Sequence, residues 1–211
     1  LKKFIKSKIH KMLEHSALEQ LIQKRRTPNP ALFLDKPIDV ELLKRAIDIA
    51  RYAPNHKRTE PARFYLANNA QKTQIGGLLH HYILKYKGAD KEELAAKKQQ
   101  MWANIPALLV VTNYSSKETK LAVKNAELQK EDYATVSTII QNLTLLLLNQ
   151  GLHVMWSTAG VKNEPAVAEV FGFNNFPEDE QIAGFLLIGY LPDNLDLGIR
   201  TLKPLDGILR S

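Results

Sequence analysis

Residues 132–160, DYATVSTIIQNLTLLLLNQGLHVMWSTAG, set the tightest limit on what this chain can become. From Tyr133 to Leu148 the apolar positions Val136, Ile139, Ile140, Leu143, Leu146 and Leu147 recur at the i, i+3, i+4, i+7 spacing of one buried helical face. Leu145 and Leu148 widen that face to nearly the full circumference over the last two turns. A helix that is apolar all round must be covered all round, by its own domain or by a second subunit. A membrane span is a poor alternative, because Asp132, Gln141, Asn142 and Asn149 interrupt the run and spanning takes about 20 mostly apolar residues. Gly151 stands where a left-handed residue ends a helix. The short run after it ends in Trp156-Ser157-Thr158, which predicts a strand whose end carries small hydroxyl groups.

The rest of the chain fits one core of ordinary size. Its 211 residues are 45% hydrophobic and 24% charged, the proportions of a globular protein. With no cysteine there can be no disulfide, thiolate catalysis, cysteine-ligated zinc or iron–sulfur cluster. That composition agrees with a reducing, cytoplasmic setting. The net charge of +7 hints at nucleic acid, but residues 1–26 carry eight basic and two acidic side chains, leaving 21 basic against 20 acidic in the other 185. A basic stretch confined to one end is not a nucleic-acid footprint, and no nucleic-acid partner is expected. Residues 1–13 predict a basic amphipathic helix with Phe4, Ile5, Ile9 and Met12 on its apolar side. Such a helix can lie on an anionic surface or dock on protein with its lysines solvated. Residues 1–15 are therefore read as an extension and 16–211 as the main domain.

Within that domain, Ser16-Ala17-Leu18-Glu19 matches a capping box. It predicts a helix with Leu18, Leu21 and Ile22 inward, stopped by Pro28 and Pro30. Asp39 caps another, with Leu42, Leu43, Ala46, Ile47 and Ala50 inward. Helices are predicted at 70–87, 91–103 and 164–171, and strands at 62–68, 107–114 and 182–190. The last two strands are continuously apolar, as strands covered on both faces are. Residues 191–211 lack periodicity and read as an extended tail. Four strands among six or more helices predict an α+β fold, a sheet with helices on both faces.

No constellation of catalytic side chains stands out. There is no GxGxxG or GxxxxGK[ST] phosphate loop, no GxSxG elbow and no HExxH. His80 and His81 are adjacent, so their rings leave a helix on different sides and cannot share one metal. Two features remain. Arg25-Arg26-Thr27 places two guanidiniums and a hydroxyl at a predicted helix C-terminus, which suits bidentate phosphate binding; cations there also complement the helix dipole. Pro54-Asn55-His56-Lys57-Arg58 is a polar loop between a helix and a strand, where ligand sites and solvated turns both occur.

Taken together, RRT after one helix, ARYAPNHKRTEPARFYL after the next, an apolar helix with IIQN, then GLHVMWSTAG and AGFLLIGYLPD resemble the nitroreductase family of FMN-dependent oxidoreductases. The resemblance covers roughly residues 16–192 and is nearest to compact members whose second motif reads APxHK. It implies a three-layer α+β subunit with a mostly antiparallel sheet and a homodimer with residues 132–148 in its core. FMN would lie in clefts at the dimer interface, and NAD(P)H would reduce nitroaromatic, quinone or similar electrophiles through ping-pong hydride transfer.

By position, Arg25, Arg26 and Thr27 match the FMN phosphate and ribityl ligands. His56 matches a loop residue presented to the flavin of the other subunit, and Tyr52, four residues earlier, occupies a position that can also face the cofactor. Trp156, Ser157 and Thr158 match the strand end along the flavin. Arg200 or Lys203 is the candidate for a basic tail residue at the phosphate. The resemblance implies no metal and no particular catalytic side chain, since the cofactor carries the chemistry. Three departures stand out. Ala62 replaces the aromatic of a QPWRF motif, Glu60 replaces its amide, and Asn29 stands where many members carry a cation near the flavin. A binding protein of the same fold, using its basic N-terminus, is the alternative.

Overall fold

The computed structural model describes residues 17–115, 126–173, 180–204 and 208. The basic segment 1–15, the capping Ser16 and the stretch 116–125 lie outside them. The elements in order are α1 (Ala17–Lys24), α2 (Val40–Ala50), β1 (Ala62–Leu66), α3 (Asn69–Lys87), α4 (Glu92–Ala103), β2 (Ala107–Tyr114), α5 (Ala126–Asn149), β3 (Leu152–Ser157), α6 (Ala166–Glu169) and β4 (Glu180–Tyr190). The four strands form one sheet, ordered β1-β2-β4-β3, with every neighbouring pair antiparallel.

The apolar runs of β2 and β4 feed two cores by alternation, interrupted once in β4, between Ile182 and Phe185, by a bulge opposite Val111 and Thr112. Leu109, Val111, Leu186 and Ile188 join Leu43, Ala46, Ala50, Val136, Ile140, Leu143 and Leu147 on the α2/α5 side. Leu108, Val110, Phe185 and Leu187 join Ile75, Leu79, Ile83, Ala95 and Trp102 on the α3/α4 side. Successive side chains of a strand point to opposite faces, so two buried faces demand an unbroken apolar run. The three layers expected from sequence are present.

The central helix begins at Ala126, seven residues before the predicted start. The polar sequence hides this first part, which is held by a Lys130–Glu127 ion pair at 2.8 Å and by a buried Leu128. Gly151 ends the helix as expected, at φ +77 with its N–H donating to the Leu148 carbonyl. Leu145 and Leu148 remain half-buried and belong to neither core.

Two expectations fail. The inward face proposed for α1 is not covered: Leu18 is 59% and Ile22 51% exposed, and the helix has no buried residue. Its eight residues touch α5 only lightly, so amphipathic spacing alone did not identify a covering surface. The helix predicted over 164–171 shrinks to Ala166–Glu169, preceded by a 3-10 turn at Gly160–Asn163. No described helix is long and apolar enough to cross a membrane.

Candidate active site

At the C-terminal end of α1, an Arg25 terminal nitrogen lies 3.4 Å from the Thr27 hydroxyl, to which it donates. Arg25 has no carboxylate partner among the described residues. Arg26 turns the other way. Its Nε donates to the carbonyl of Gly198 at 3.1 Å, and a terminal nitrogen donates to the carbonyls of Gln23 and Arg25 at 2.6 and 2.9 Å. This brings the tail, with exposed Arg200 two residues beyond Gly198, to the end of α1. Lys203 is also exposed, and among the described residues it makes no hydrogen bond or ion pair. Asn29, where a cation was expected by resemblance, accepts from the Ala31 N–H at 3.2 Å and caps the turn Pro30–Leu32.

Trp156 lies at the end of edge strand β3, 37% exposed. A side chain on Gly184 would collide with its indole, so the bare backbone of β4 is the shelf on which the ring rests. The indole N–H donates to the Ala183 carbonyl at 3.4 Å. Beside it the Ser157 hydroxyl accepts from the Ala159 N–H at 3.3 Å, while Thr158 is exposed. One flat, partly open aromatic face and two small hydroxyl groups thus stand at the strand end.

The loop before β1 is held by a polar network. Thr59 donates to Asp132 at 2.5 Å and Ser115 donates to the other carboxylate oxygen at 2.9 Å. Asn55 donates to the Thr59 hydroxyl at 2.9 Å and accepts from the Glu60 N–H at 2.9 Å. Thr135 donates to the Pro54 carbonyl at 3.1 Å. Asp132 is 1% exposed. These bonds offset an unusual backbone. Lys57, Arg58 and Glu60 have φ of 57, 54 and 46, each a left-handed conformation costing about 1–2 kcal/mol for a side chain with a Cβ. His56, Lys57 and Arg58 face solvent, with His56 Nε2 3.8 Å from Glu131. Tyr52 is 89% exposed.

Beside this loop is a cleft of about 290 Å³, lined by Ile47, Arg51, Glu60, Arg63, Phe64 and Thr135 among others. Arg51 bonds Glu60 at 2.9 Å at its mouth, and the Arg63 guanidinium lies 4.8 Å from the centre of the Tyr114 ring. Glu60 therefore has a charge partner that an amide would lack.

The nine candidate residues do not gather into one place. Arg25, Arg26 and Thr27 stand at the end of α1, where Arg26 meets the tail at Gly198, two residues before Arg200; Tyr52 and His56 belong with β1; Trp156, Ser157 and Thr158 end β3. β1 and β3 are opposite edges of the sheet, three strand spacings or about 14 Å apart. Among the described residues no group of three or more acids and histidines could hold a metal. His80 Nε2 pairs with Glu92 at 2.9 Å and His81 Nδ1 lies 2.8 Å from the Gly77 carbonyl; the rings do not separate as expected but meet edge to face, 5.7 Å between centres.

The pattern of the nitroreductase family matches residues 22–190, most of the chain. The chain belongs to the nitroreductase family. Among curated relatives, the Bacillus subtilis protein named "Putative NAD(P)H nitroreductase YfhC" is 27% identical over 181 residues, covering 85% of this chain and 87% of that one. Among solved structures, a nitroreductase-like family protein from Bacillus cereus superposes with a TM-score of 0.72 at 24% identity, covering 93% of this chain and 96% of that one. The FMN and NADPH-dependent nitroreductase NfnB from Sphigopyxis sp. strain HMH gives 0.71 at 15% identity, covering 93% and 99%. At such identities the structures establish the nitroreductase fold. The oxidoreductase character comes with the family.

Sequence reasoning passed over two groups that hold the candidate residues in place. Asp132 was noted only as a break in an apolar run, yet it is the anchor of the His56 loop. Gly184 lay inside an apolar strand, and a glycine there was itself a signal of close approach.

Proposed function

We propose that this nitroreductase-family chain is an FMN-dependent oxidoreductase that uses NAD(P)H to reduce nitroaromatic, quinone or similar electrophiles, acting as a homodimer. The observation that carries the proposal is Arg25: a cation without a carboxylate partner among the described residues, within hydrogen-bonding reach of Thr27, at the helix end where Arg26 binds the tail at Gly198, two residues before Arg200. Two guanidiniums and a hydroxyl match the charge and acceptor geometry of a phosphate monoester. The Trp156 face on its glycine shelf, with Ser157 and Thr158 beside it, offers a wall for a planar ring. The residues present fit FMN.

When bound, FMN supplies the hydride-accepting and hydride-donating ring. The chain's own side chains position it. Arg25, Thr27 and Arg200 hold the phosphate end, and the β3 terminus bounds the ring. His56 and Tyr52 stand on the far edge of the sheet, so they serve the cleft of a second subunit. Half-buried Leu145 and Leu148 and the uncovered Leu18 and Ile22 are the apolar surface such a dimer would cover. Reductant and oxidant would then take turns at the open ring face.

An absorbance spectrum tests the proposal directly. The purified protein should be yellow, should release FMN on denaturation and should bleach under NAD(P)H without oxygen. A colourless protein that does not take up added FMN overturns it.

A further inference from the structure

Arg26 is the middle residue of the Arg25-Arg26-Thr27 motif, and its guanidinium is committed to the protein itself. It bridges the last turn of α1, through the carbonyls of Gln23 and Arg25, to the carbonyl of Gly198, 172 residues away in sequence. The tail is shaped to receive it. Gly198 adopts φ +70, a conformation that favours glycine. Its N–H donates to the Asp196 carboxylate at 2.7 Å, closing a tight turn that leaves its carbonyl on Arg26. Leu195 and Leu197 are half-buried along the same groove, lined further by Gln20, Gln23 and Lys24, whereas Ile199 is 94% exposed. The fastening therefore ends at Gly198, and among the described residues beyond it no hydrogen bond or ion pair ties the chain back.

Arg200 begins that free segment. Two residues of backbone reach at most about 7 Å, so a tail pinned at Gly198 keeps Arg200 close to the end of α1, where Arg25 and Thr27 stand. We propose that Arg26 is a positioning residue: it latches the C-terminal tail to α1 and so holds Arg200 beside Arg25 at the phosphate site. The inference rests on the FMN reading for the phosphate itself, but the latch does not depend on it. Arg26 has one terminal nitrogen uncommitted, so direct contact with the ligand is the rival outcome.

Titrations of FMN and of riboflavin, which lacks the phosphate, separate the possibilities in wild type, Arg26→Ala, Arg200→Ala and the double variant. Gly198→Ala strains the same turn and serves as a second disruption of the latch. The latch predicts that Arg26→Ala and Gly198→Ala each weaken FMN binding about tenfold, the loss of roughly one charged hydrogen bond, and leave riboflavin binding unchanged. It further predicts that the double variant binds FMN no more weakly than Arg200→Ala alone. Additive losses in the double variant, equal losses for FMN and riboflavin, or unchanged FMN affinity overturn it. Trypsin digestion of the flavin-free protein gives an independent readout: cleavage after Arg200 should be faster in both latch variants than in wild type, and an unchanged rate overturns the latch. A wild-type protein that binds no flavin defeats the FMN reading and leaves the digestion result to decide the latch.

Discussion

The hydroxyl of Thr59 donates to Asp132 at 2.5 Å across 73 residues of sequence. This bond ties the His56 loop to the central helix. It lies next to three non-glycine residues in left-handed conformations, so the backbone there has an alternative it would prefer. Asp132→Ala leaves the Thr59 and Ser115 hydroxyls without their acceptor in a buried place. The expected loss is about 2–4 kcal/mol, read as a lower urea midpoint. Asp132→Asn, which keeps one acceptor, should lose less. Equal stability of wild type and Asp132→Ala would show that the loop holds its shape without the helix.

Arg25→Ala should weaken FMN binding by about 1.5–3 kcal/mol, the scale of a charged hydrogen bond, in a flavin fluorescence titration. Thr27→Val should cost less, because the hydroxyl is neutral. If Arg25→Ala binds FMN as tightly as wild type, its guanidinium serves only the helix end.

The His153 imidazole is half-buried on β3 and its Nδ1 has no hydrogen-bond partner among the described residues. Burial lowers its pKa below the ordinary 6.5. The folded state resists a proton that the unfolded chain accepts. Stability is therefore complete above pH 6.5 and falls as pH drops below it, by at most about 1.4 kcal/mol per pH unit. Urea midpoints at pH 7.5 and pH 5.5 should fall further for wild type than for His153→Leu. Parallel falls in the two proteins would locate the acid sensitivity elsewhere.

Leu145 and Leu148 are half-buried and outside both cores. If a second subunit covers them, Leu145→Asp combined with Leu148→Asp should convert the dimer to monomer in sedimentation or light scattering and should release flavin with it. A wild-type monomer that retains FMN contradicts the dimer and leaves these leucines as ordinary surface.

The sheet and its covering layers were legible because two buried faces force unbroken apolar strands. β2 matches its predicted bounds, and β4 starts two residues early at Glu180. Glu180 is a polar residue accepting from Tyr65 at 2.7 Å and from Thr112, so no hydropathy pattern marks it. The family motifs named Arg25, His56 and Trp156, but not what holds them. Asp132 meets Thr59, and Arg26 meets Gly198, only after the chain has folded back across most of its length. No local pattern encodes such pairs. The exposed α1 shows the converse: its amphipathic spacing was real, while the described residues leave Leu18 and Ile22 uncovered.

Strand order also governs when the site can exist during synthesis. β4 is the last strand made, yet it lies between β2 and β3 and is the partner of both. Until residue 190 has left the ribosome, β3 has no neighbour, and Trp156 has no Gly184 to rest on. Domains form as units and long-range pairings come late, so a ribosome-bound chain ending before β4 would carry α2, α5 and the His56 loop with a half-built sheet and no wall for a cofactor. On the FMN reading, the wall for the flavin ring is complete only once β4 has been made and has paired with β3.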